Sequence, residues 1–281
     1  MRDSKNSLIT RTLFGALFAA ANIGAMLCGK SGFVVLLLSI LLGCTYEFNR
    51  ITRLRNYHPR NIIGLISALS IFACCADSSL FGGVNTHIYQ LIFILTIPTI
   101  FISELFSGSK TPVENLGATK LSLMYIAIPT ALLSNVAMML GGGEFQPLLM
   151  IAYIMIIWAN DSFAYLFGVF FGRNVMFARI SPKKSWEGLI GGITGALLFG
   201  IVAALVLDQN WIVWGGIAVI AATTGVLGDL VESMFKRAVN IKDSGNMLPG
   251  HGGWLDRFDA LLISTPVIYV YLYSLNFFNV I

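Results

Sequence analysis

Long runs of apolar residues without a single charge alternate with short polar segments along nearly the whole chain. A membrane-spanning helix needs about 20 mostly apolar residues, with roughly 17 to 25 usual. The pattern therefore predicts a bundle of membrane-spanning helices, and nine spans result if 145–172 is one helix interrupted by Asp161. The runs lie at 12–29, 31–46, 61–76, 78–103, 121–143, 145–160, 162–172, 188–207, 209–228 and 260–281.

Composition excludes an ordinary soluble domain. The chain is 56% hydrophobic and 11% charged, whereas soluble domains carry about 25% charged residues. We predict an all-α fold, a polytopic integral membrane helical bundle with about nine transmembrane helices. Residues 1–28 look like a signal peptide, but further spans follow at once, so we expect this segment to be retained as the first helix. The four cysteines lack the spacing of a metal site and are predicted to be buried free thiols.

Basic residues predict the orientation of the bundle. With nine spans, every Lys and Arg except Lys30 falls on the side of the N-terminus. Because Lys and Arg concentrate in cytoplasmic loops, we expect a cytoplasmic N-terminus and an external C-terminus. Topology and attraction to anionic lipid headgroups explain the arginines between residues 50 and 60.

Two features inside the spans stand out. Asp161 lies within an apolar run, where an ionisable group is costly unless it is paired or faces water. We expect it in a cytoplasm-facing polar cavity, with a structural ion pair or hydrogen bond as the alternative. Gly191 and Gly195 form a small-xxx-small pattern that lets helices approach closely. Packing within the bundle is the expected reason, and a subunit contact is the alternative.

The segment "SPKKSWEG" reads as a helix start. Ser181 and Pro182 suit the N-cap and first helical positions, so we expect Lys183 and Lys184 to project from a helix N-terminus. Beside Gly172, Arg173 and Glu187 they would form an anion site, since a helix N-terminus favours phosphate. The alternative is that both lysines only mark the cytoplasmic side.

A stripe of polar residues closes the next span. Asp229, Glu232, Ser233, Lys236 and Arg237 are spaced so that they share one helix face. An ordinary solvated helix end has the same appearance.

The following loop, "DSGNMLPGHGGWLDRFD", favours chemistry. Gly252 and Gly253 allow close backbone approach and an anion-binding nest. Asp256 and Asp259, three residues apart, could hold Mg²⁺, which takes one or two carboxylates plus phosphate oxygens. His251 would bind phosphate, carry a proton or only stabilise the loop. Carboxylates with a metal and several cations suit phosphoryl chemistry.

These motifs together resemble the phosphatidate cytidylyltransferase family. The signature of that family matches without a gap, and the blocks "NDSFAYLFGVFFGR", "SPKKSWEGLIGG" and "GDLVESMFKR" precede or overlap it in order. The resemblance covers the chain from Asn160 onward, and Trp254 stands where an aliphatic residue is expected. The matching residues are Ser233, Phe235, Lys236, Arg237, Lys242, Asp243, Gly245, Leu248, Pro249, His251, Gly252, Gly253, Asp256, Arg257, Phe258 and Asp259.

The resemblance implies an enzyme that converts phosphatidate and CTP to CDP-diacylglycerol and pyrophosphate with Mg²⁺, and it leaves a second cation open. It also implies a homodimer in the cell inner membrane, with its active site facing the cytoplasm and no nucleic acid partner. The expected organisation is a single integral membrane domain, 1–281. It comprises N-terminal membrane helices in 1–140 and a catalytic region in 141–281.

Site roles follow from the same resemblance together with the charges. Asp229, Asp256 and Asp259 are expected to bind metal. The catalytic residues are expected to be these three together with Lys236, Arg237 and Arg257. Phosphates would be held by Lys183, Lys184, Lys236, Arg237 and Arg257. The remaining substrate-binding residues are expected to be Ser181, Ser233, Lys242, His251, Gly252, Gly253 and Asp161.

The residues alone are also compatible with three other functions. A CTP-dependent enzyme with an isoprenoid-type lipid acceptor would share the catalytic loops. A transporter would use Asp161 for ion coupling and would spread its charges along a midplane pathway. A structural scaffold would explain the spans but not the spacing within the loops.

Overall fold

Nearly every apolar run forms a helix. A computed structural model describes the backbone of residues 2–245 and 252–278, with side chains from residue 13 onward in those ranges. The helices are α1 (Arg2–Leu27), α2 (Gly29–Arg53), α3 (Asn61–Leu80), α4 (Thr86–Leu105), α5 (Pro112–Ser122), a π-helical turn (Leu123–Ala127), α6 (Ile128–Leu140), α7 (Pro147–Phe171), α8 (Trp186–Val206), α9 (Trp211–Ala238) and α10 (Leu255–Phe277).

Eight helical segments in the described part of the chain are long and apolar enough to cross a membrane. The polytopic helical membrane fold is therefore confirmed. The segment Pro112–Leu140 counts once, because α5, the π-helical turn and α6 run on without a break. In α1 the described apolar part, Leu13–Leu27, is shorter. The single helix predicted over 145–172 is confirmed as α7, which contains Asp161.

The predicted boundary between the third and fourth spans is wrong. The sequence pattern breaks at Asp77, but α3 continues past it to Leu80. Gly82 and Gly83 adopt positive φ and end the helix. The Asp77 carboxylate accepts hydrogen bonds from the Asn85 N–H at 2.9 Å and the Thr86 hydroxyl at 2.8 Å. Asp77 thus closes the turn before α4.

The helix start predicted at Ser181 and Pro182 is also wrong. Residues Ser181–Ser185 form strand β2, which pairs antiparallel with β1 (Val175–Phe177). Helix α8 begins only at Trp186, because Ser185 is its N-cap and accepts a hydrogen bond from the Gly188 N–H at 3.1 Å. The two lysines therefore lie on a hairpin arm that leads into the helix.

Two compact units make up the chain. The first contains Met1–Asn135 and Ala238–Phe258, and the second contains Val136–Arg237 and Asp259–Ile281. The predicted single domain stays a prediction. Fully buried side chains such as Phe33, Leu37, Phe48 and Ile126 form the core of the first unit. The core of the second unit includes Met150, Tyr153, Ile156 and Ile217.

Helices α7 and α8 pack at close range within the second unit. A Cβ atom on Gly191 would collide with the Phe167 side chain, and one on Gly195 would collide with Phe163. Close helix packing was the expected reason for this glycine spacing, and it is confirmed.

Candidate active site

The second unit contains a cavity of about 670 Å³. Its walls come from α7, both strands of the hairpin, the start of α8, and Val226 and Asp229 of α9. Five of the polar residues singled out in the sequence line it, namely Asp161, Ser181, Lys183, Lys184 and Asp229. The fold thus gathers residues from three separate sequence blocks around one opening.

Lys184 and Asp229 form an ion pair across this cavity. The Lys184 Nζ lies 2.5 Å from an Asp229 carboxylate oxygen, and both side chains are partly exposed. An exposed pair of this kind contributes about 1 kcal/mol or less. Its importance is positional, because it joins the hairpin arm to α9. The Ser233 hydroxyl donates to the other Asp229 oxygen at 3.2 Å.

A cluster of three carboxylates stands beside this pair. Asp229, Glu232 and Asp259 each place an oxygen within 4.8 Å of the others, and Glu232 and Asp259 are buried. Gly228 permits this approach, because a Cβ there would lie 2.5 Å from the Asp259 carbonyl oxygen. Like charges at such distances repel, so the cluster favours a cation. Carboxylate oxygens are the ligands that Mg²⁺ prefers.

Glu232 belongs to this cluster, although no metal role was predicted for it. The sequence feature that could have indicated a metal role for Glu232 is its position on the polar stripe, three residues after Asp229. A solvated helix end shows the same spacing. Lys236, which is buried, forms an ion pair with Glu232. Arg237 is exposed and donates from Nε to the Ile180 carbonyl, at 3.4 Å, beside the hairpin arm.

The other predicted site residues belong to the first unit. One Asp256 carboxylate oxygen accepts hydrogen bonds from the Ser244 N–H and hydroxyl, both at 3.0 Å, and from the Gly253 N–H at 2.7 Å. Gly252 takes a positive φ of 80°. Asp256 therefore holds both ends of the loop that precedes α10. Lys242 and Arg257 are exposed, and His251 lies outside the described residues.

Glu47, which sequence reasoning missed, anchors the same loop. Its carboxylate is buried and accepts hydrogen bonds from the Ser244 hydroxyl at 2.7 Å and the Leu255 N–H at 2.9 Å. A Cβ atom on Gly245 or Gly253 would collide with this carboxylate. The glycines therefore make room for Glu47. In the sequence, Glu47 follows the apolar run 31–46 directly. A carboxylate at that position is usually a solvated residue at a helix end, so it did not indicate a buried role.

Trp254 also fits the first unit. Its ring packs against Phe18 and Phe258, with ring centroids 6.0 and 5.8 Å away. Gly43 makes this possible, because a Cβ there would lie 2.7 Å from the Trp254 Cγ. A neighbouring glycine on α2 thus accommodates the unusual residue in the signature.

The chain is similar to known proteins over most of its length. A family model described as "Cytidylyltransferase family" matches residues 9–275. A phosphatidate cytidylyltransferase of Staphylococcus saprophyticus is 32% identical over 249 residues, which cover 86% of this chain and 91% of that protein. The Bacillus subtilis protein of the same name is 31% identical over 279 residues, covering 96% and 97% of the two chains.

A further relative from Staphylococcus aureus strain COL, also named phosphatidate cytidylyltransferase, is 44% identical over 120 residues. These cover 42% of this chain and 46% of that protein. The family match therefore extends over the N-terminal helices as well as the loops that carry the signature. The chain belongs to the cytidylyltransferase family.

Proposed function

We propose that this chain is a phosphatidate cytidylyltransferase, which transfers CMP from CTP to phosphatidate in phospholipid biosynthesis. Its family makes it a nucleotidyltransferase. Relatives with that name match most of its length. The observation that carries the proposal is the cavity of the second unit, where Lys183 and Lys184 stand beside Asp229.

The reaction joins two anions. A phosphate oxygen of phosphatidate attacks the α-phosphorus of CTP, and the bond from that phosphorus to the β-phosphate oxygen breaks. CDP-diacylglycerol forms and pyrophosphate leaves. A phosphomonoester carries about −1.5 to −2 charges near neutral pH, so the reactants repel each other. Since the nucleophile is already an anion, the site needs cations and alignment more than a strong base.

Basic side chains of the cavity supply the cations that the reaction needs. Lys183 and Lys184 would hold the triphosphate and the lipid phosphate, with Ser181 as a further hydrogen-bond donor. Arg237, exposed at the end of α9, would extend this positive surface. The phosphate-binding role of Lys236, which is buried beside Glu232, stays a prediction. Lys184 offsets the charge of Asp229 in the free protein, so phosphate binding would draw on a lysine that is already positioned.

Mg²⁺ fits the carboxylate cluster by donor chemistry and proximity. Asp229, Glu232 and Asp259 would hold it, and the bound ion would neutralise charge on the phosphate oxygens. Asp161 would give polar support deeper in the cavity. The metal role of Asp256, a second cation, and the substrate roles of Ser233, Lys242, His251, Gly252, Gly253 and Arg257 stay predictions.

The setting is a membrane. The family relatives are bacterial, and we propose the inner membrane as the location, with the cavity open to the cytoplasm. Lipid would then arrive from the bilayer and CTP from water. The homodimer that the family resemblance implies stays a prediction.

The deciding experiment is transfer of radiolabelled CMP from CTP to lipid by purified protein with Mg²⁺. We expect CDP-diacylglycerol from phosphatidate and no product from an isoprenoid phosphate. Asp259→Asn should lower the rate at least about a hundredfold, because it removes one of the three carboxylates proposed to hold the Mg²⁺ that neutralises phosphate charge. Asp208→Asn, in an exposed loop, is the matched control. Product from the isoprenoid lipid alone would assign the chain another acceptor.

A further inference from the structure

The four arginines between residues 50 and 60 divide into two pairs in the first unit. Arg55 donates to the Ala238 carbonyl, and Arg60 forms an ion pair with the buried Glu104. Arg50 and Arg53 are exposed, and neither forms an ion pair with any residue that the structure describes. Internal contacts therefore account for one pair, whereas no ion pair within the described residues holds the other.

Arg50 and Arg53 line one end of a groove of about 390 Å³ between α2 and α3. Leu42 and Leu65 line it as well. Because a helix rises about 1.5 Å per residue, Leu42 lies roughly 16 Å from Arg53 along α2. The groove is thus cationic at the helix end and apolar towards the middle of the span. Its volume falls in the range of small-molecule sites.

Polar atoms without partners lie along the same groove. Thr45 and Asn49 line it, and the Thr45 hydroxyl and the Asn49 Oδ1 are buried with no hydrogen-bond partner among the described residues. The Asn49 Nδ2 donates to Asn61 Oδ1 at 3.1 Å, which holds the two helices together at this level. Buried polar groups are usually hydrogen-bonded, so the unpaired atoms indicate a polar ligand.

We propose that this groove binds an anionic phospholipid. The phosphate accepts hydrogen bonds from Arg50 and Arg53, an acyl ester carbonyl accepts one from the Thr45 hydroxyl, and a headgroup hydroxyl donates to Asn49 Oδ1. An acyl chain follows the apolar part of the groove. Inorganic phosphate shares the headgroup chemistry, but it would leave Leu42 and Leu65 without a partner. The site belongs to the first unit and needs neither CTP nor catalysis.

The test measures lipid binding to the full-length protein in detergent without CTP. Phosphatidylglycerol is titrated, and the bound fraction is read by native mass spectrometry. Replacing Arg50 and Arg53 with Gln should weaken binding at least about tenfold, because two charge-assisted contacts are lost. The matched control replaces Lys110 and Lys120 with Gln, since both are exposed residues of the same unit. It should change binding less than twofold.

A second variant tests one hydrogen bond to the lipid without changing the net charge or destabilising the protein. Thr45→Val keeps the shape of the side chain and the net charge, but it removes the hydroxyl that has no protein partner in the described part of the chain. We expect binding to weaken several-fold while the thermal midpoint in lipid-free detergent stays the same or rises. Phosphatidylcholine should bind more weakly than phosphatidylglycerol, and millimolar inorganic phosphate should not displace the lipid.

Three results would overturn the proposal. Equal weakening by the lysine control would show general surface attraction. Displacement by inorganic phosphate would assign the groove to a free anion. Unchanged binding in both the arginine and the threonine variants would remove the groove as a site.

Discussion

Lys184 serves two purposes at one position in the second unit. It neutralises Asp229 in the free protein, and in the proposed reaction it meets the phosphates of CTP. Lys184→Met should raise the KM for CTP about tenfold, because one charge-assisted contact is worth about 1.5 kcal/mol or more. Steady-state kinetics at saturating phosphatidate measures this. Lys120→Met, outside the cavity, is the control, and an unchanged KM for CTP would exclude Lys184 from nucleotide binding.

Glu47 is a single residue that stabilises the loop before α10. Glu47→Gln should lower the free energy of unfolding by about 1–3 kcal/mol, because a charged acceptor of two buried hydrogen bonds becomes a neutral amide. Thermal or denaturant unfolding in detergent measures the loss. Glu144→Gln, which is exposed, should change stability by less than about 0.5 kcal/mol. Equal stability of both variants would contradict the anchoring role.

Residue-level prediction from sequence succeeds where one chemistry dominates. A carboxylate inside an apolar run has few roles, so Asp161 was a candidate before its place in the cavity was known. Glu47 and Glu232 were missed because carboxylates at helix ends beside basic residues are usually solvated. Only the fold shows that these two are buried.

At the scale of elements, the contact between α7 and α8 positions the cavity wall. Gly195→Ala should destabilise the protein by about 1–3 kcal/mol, because a Cβ there overlaps Phe163 in a packed interface. The matched control is Gly215→Ala, where the nearest atom lies 3.5 Å from the added Cβ. That variant should be neutral or slightly stabilising, since Ala favours the helix.

Thermal unfolding of both glycine variants in detergent makes the comparison. A destabilisation of similar size at Gly195 and Gly215 would mean that general helix effects, and not the contact with Phe163, set the cost.

Spans were predictable because length and hydropathy depend on many residues at once. Their ends were not, because single contacts decide them. Ser181 and Ser185 both satisfy the local rule for an N-cap, and strand pairing with β1 selects Ser185. No pattern in the sequence predicts the π-helical turn within Pro112–Leu140. Its Tyr125 ring packs against the Phe48 ring, with the two ring centroids 5.8 Å apart.

At the scale of the whole molecule, the basic residues predict which loops face the cytoplasm. In a variant with the native cysteines replaced, Glu144→Cys should react with an impermeant maleimide on intact cells. Ala178→Cys should react only after the membrane is opened. Both positions are exposed, and α7 is the one helix between them in the part of the chain that the structure describes. The reverse labelling pattern would invert the proposed orientation of the cavity.

The division into two units was not predictable from sequence order. Residues Ala238–Phe258 leave the second unit and complete the first. Periodicity describes neighbours along the chain, and this arrangement depends on contacts between distant segments. The family signature marked the loop as important without showing which helices hold it.

The hydrogen bonds of Glu47 also set an order of events during biosynthesis. Its partners Ser244 and Leu255 follow it by 197 and 208 residues. The ribosome therefore releases α2 long before the donors for its buried carboxylate exist. Contacts of such high sequence separation form slowly, because a long loop must close first. The first unit reaches its native state only after Leu255 has been synthesised, and a chain that stops before Ala238 leaves Glu47 without these donors.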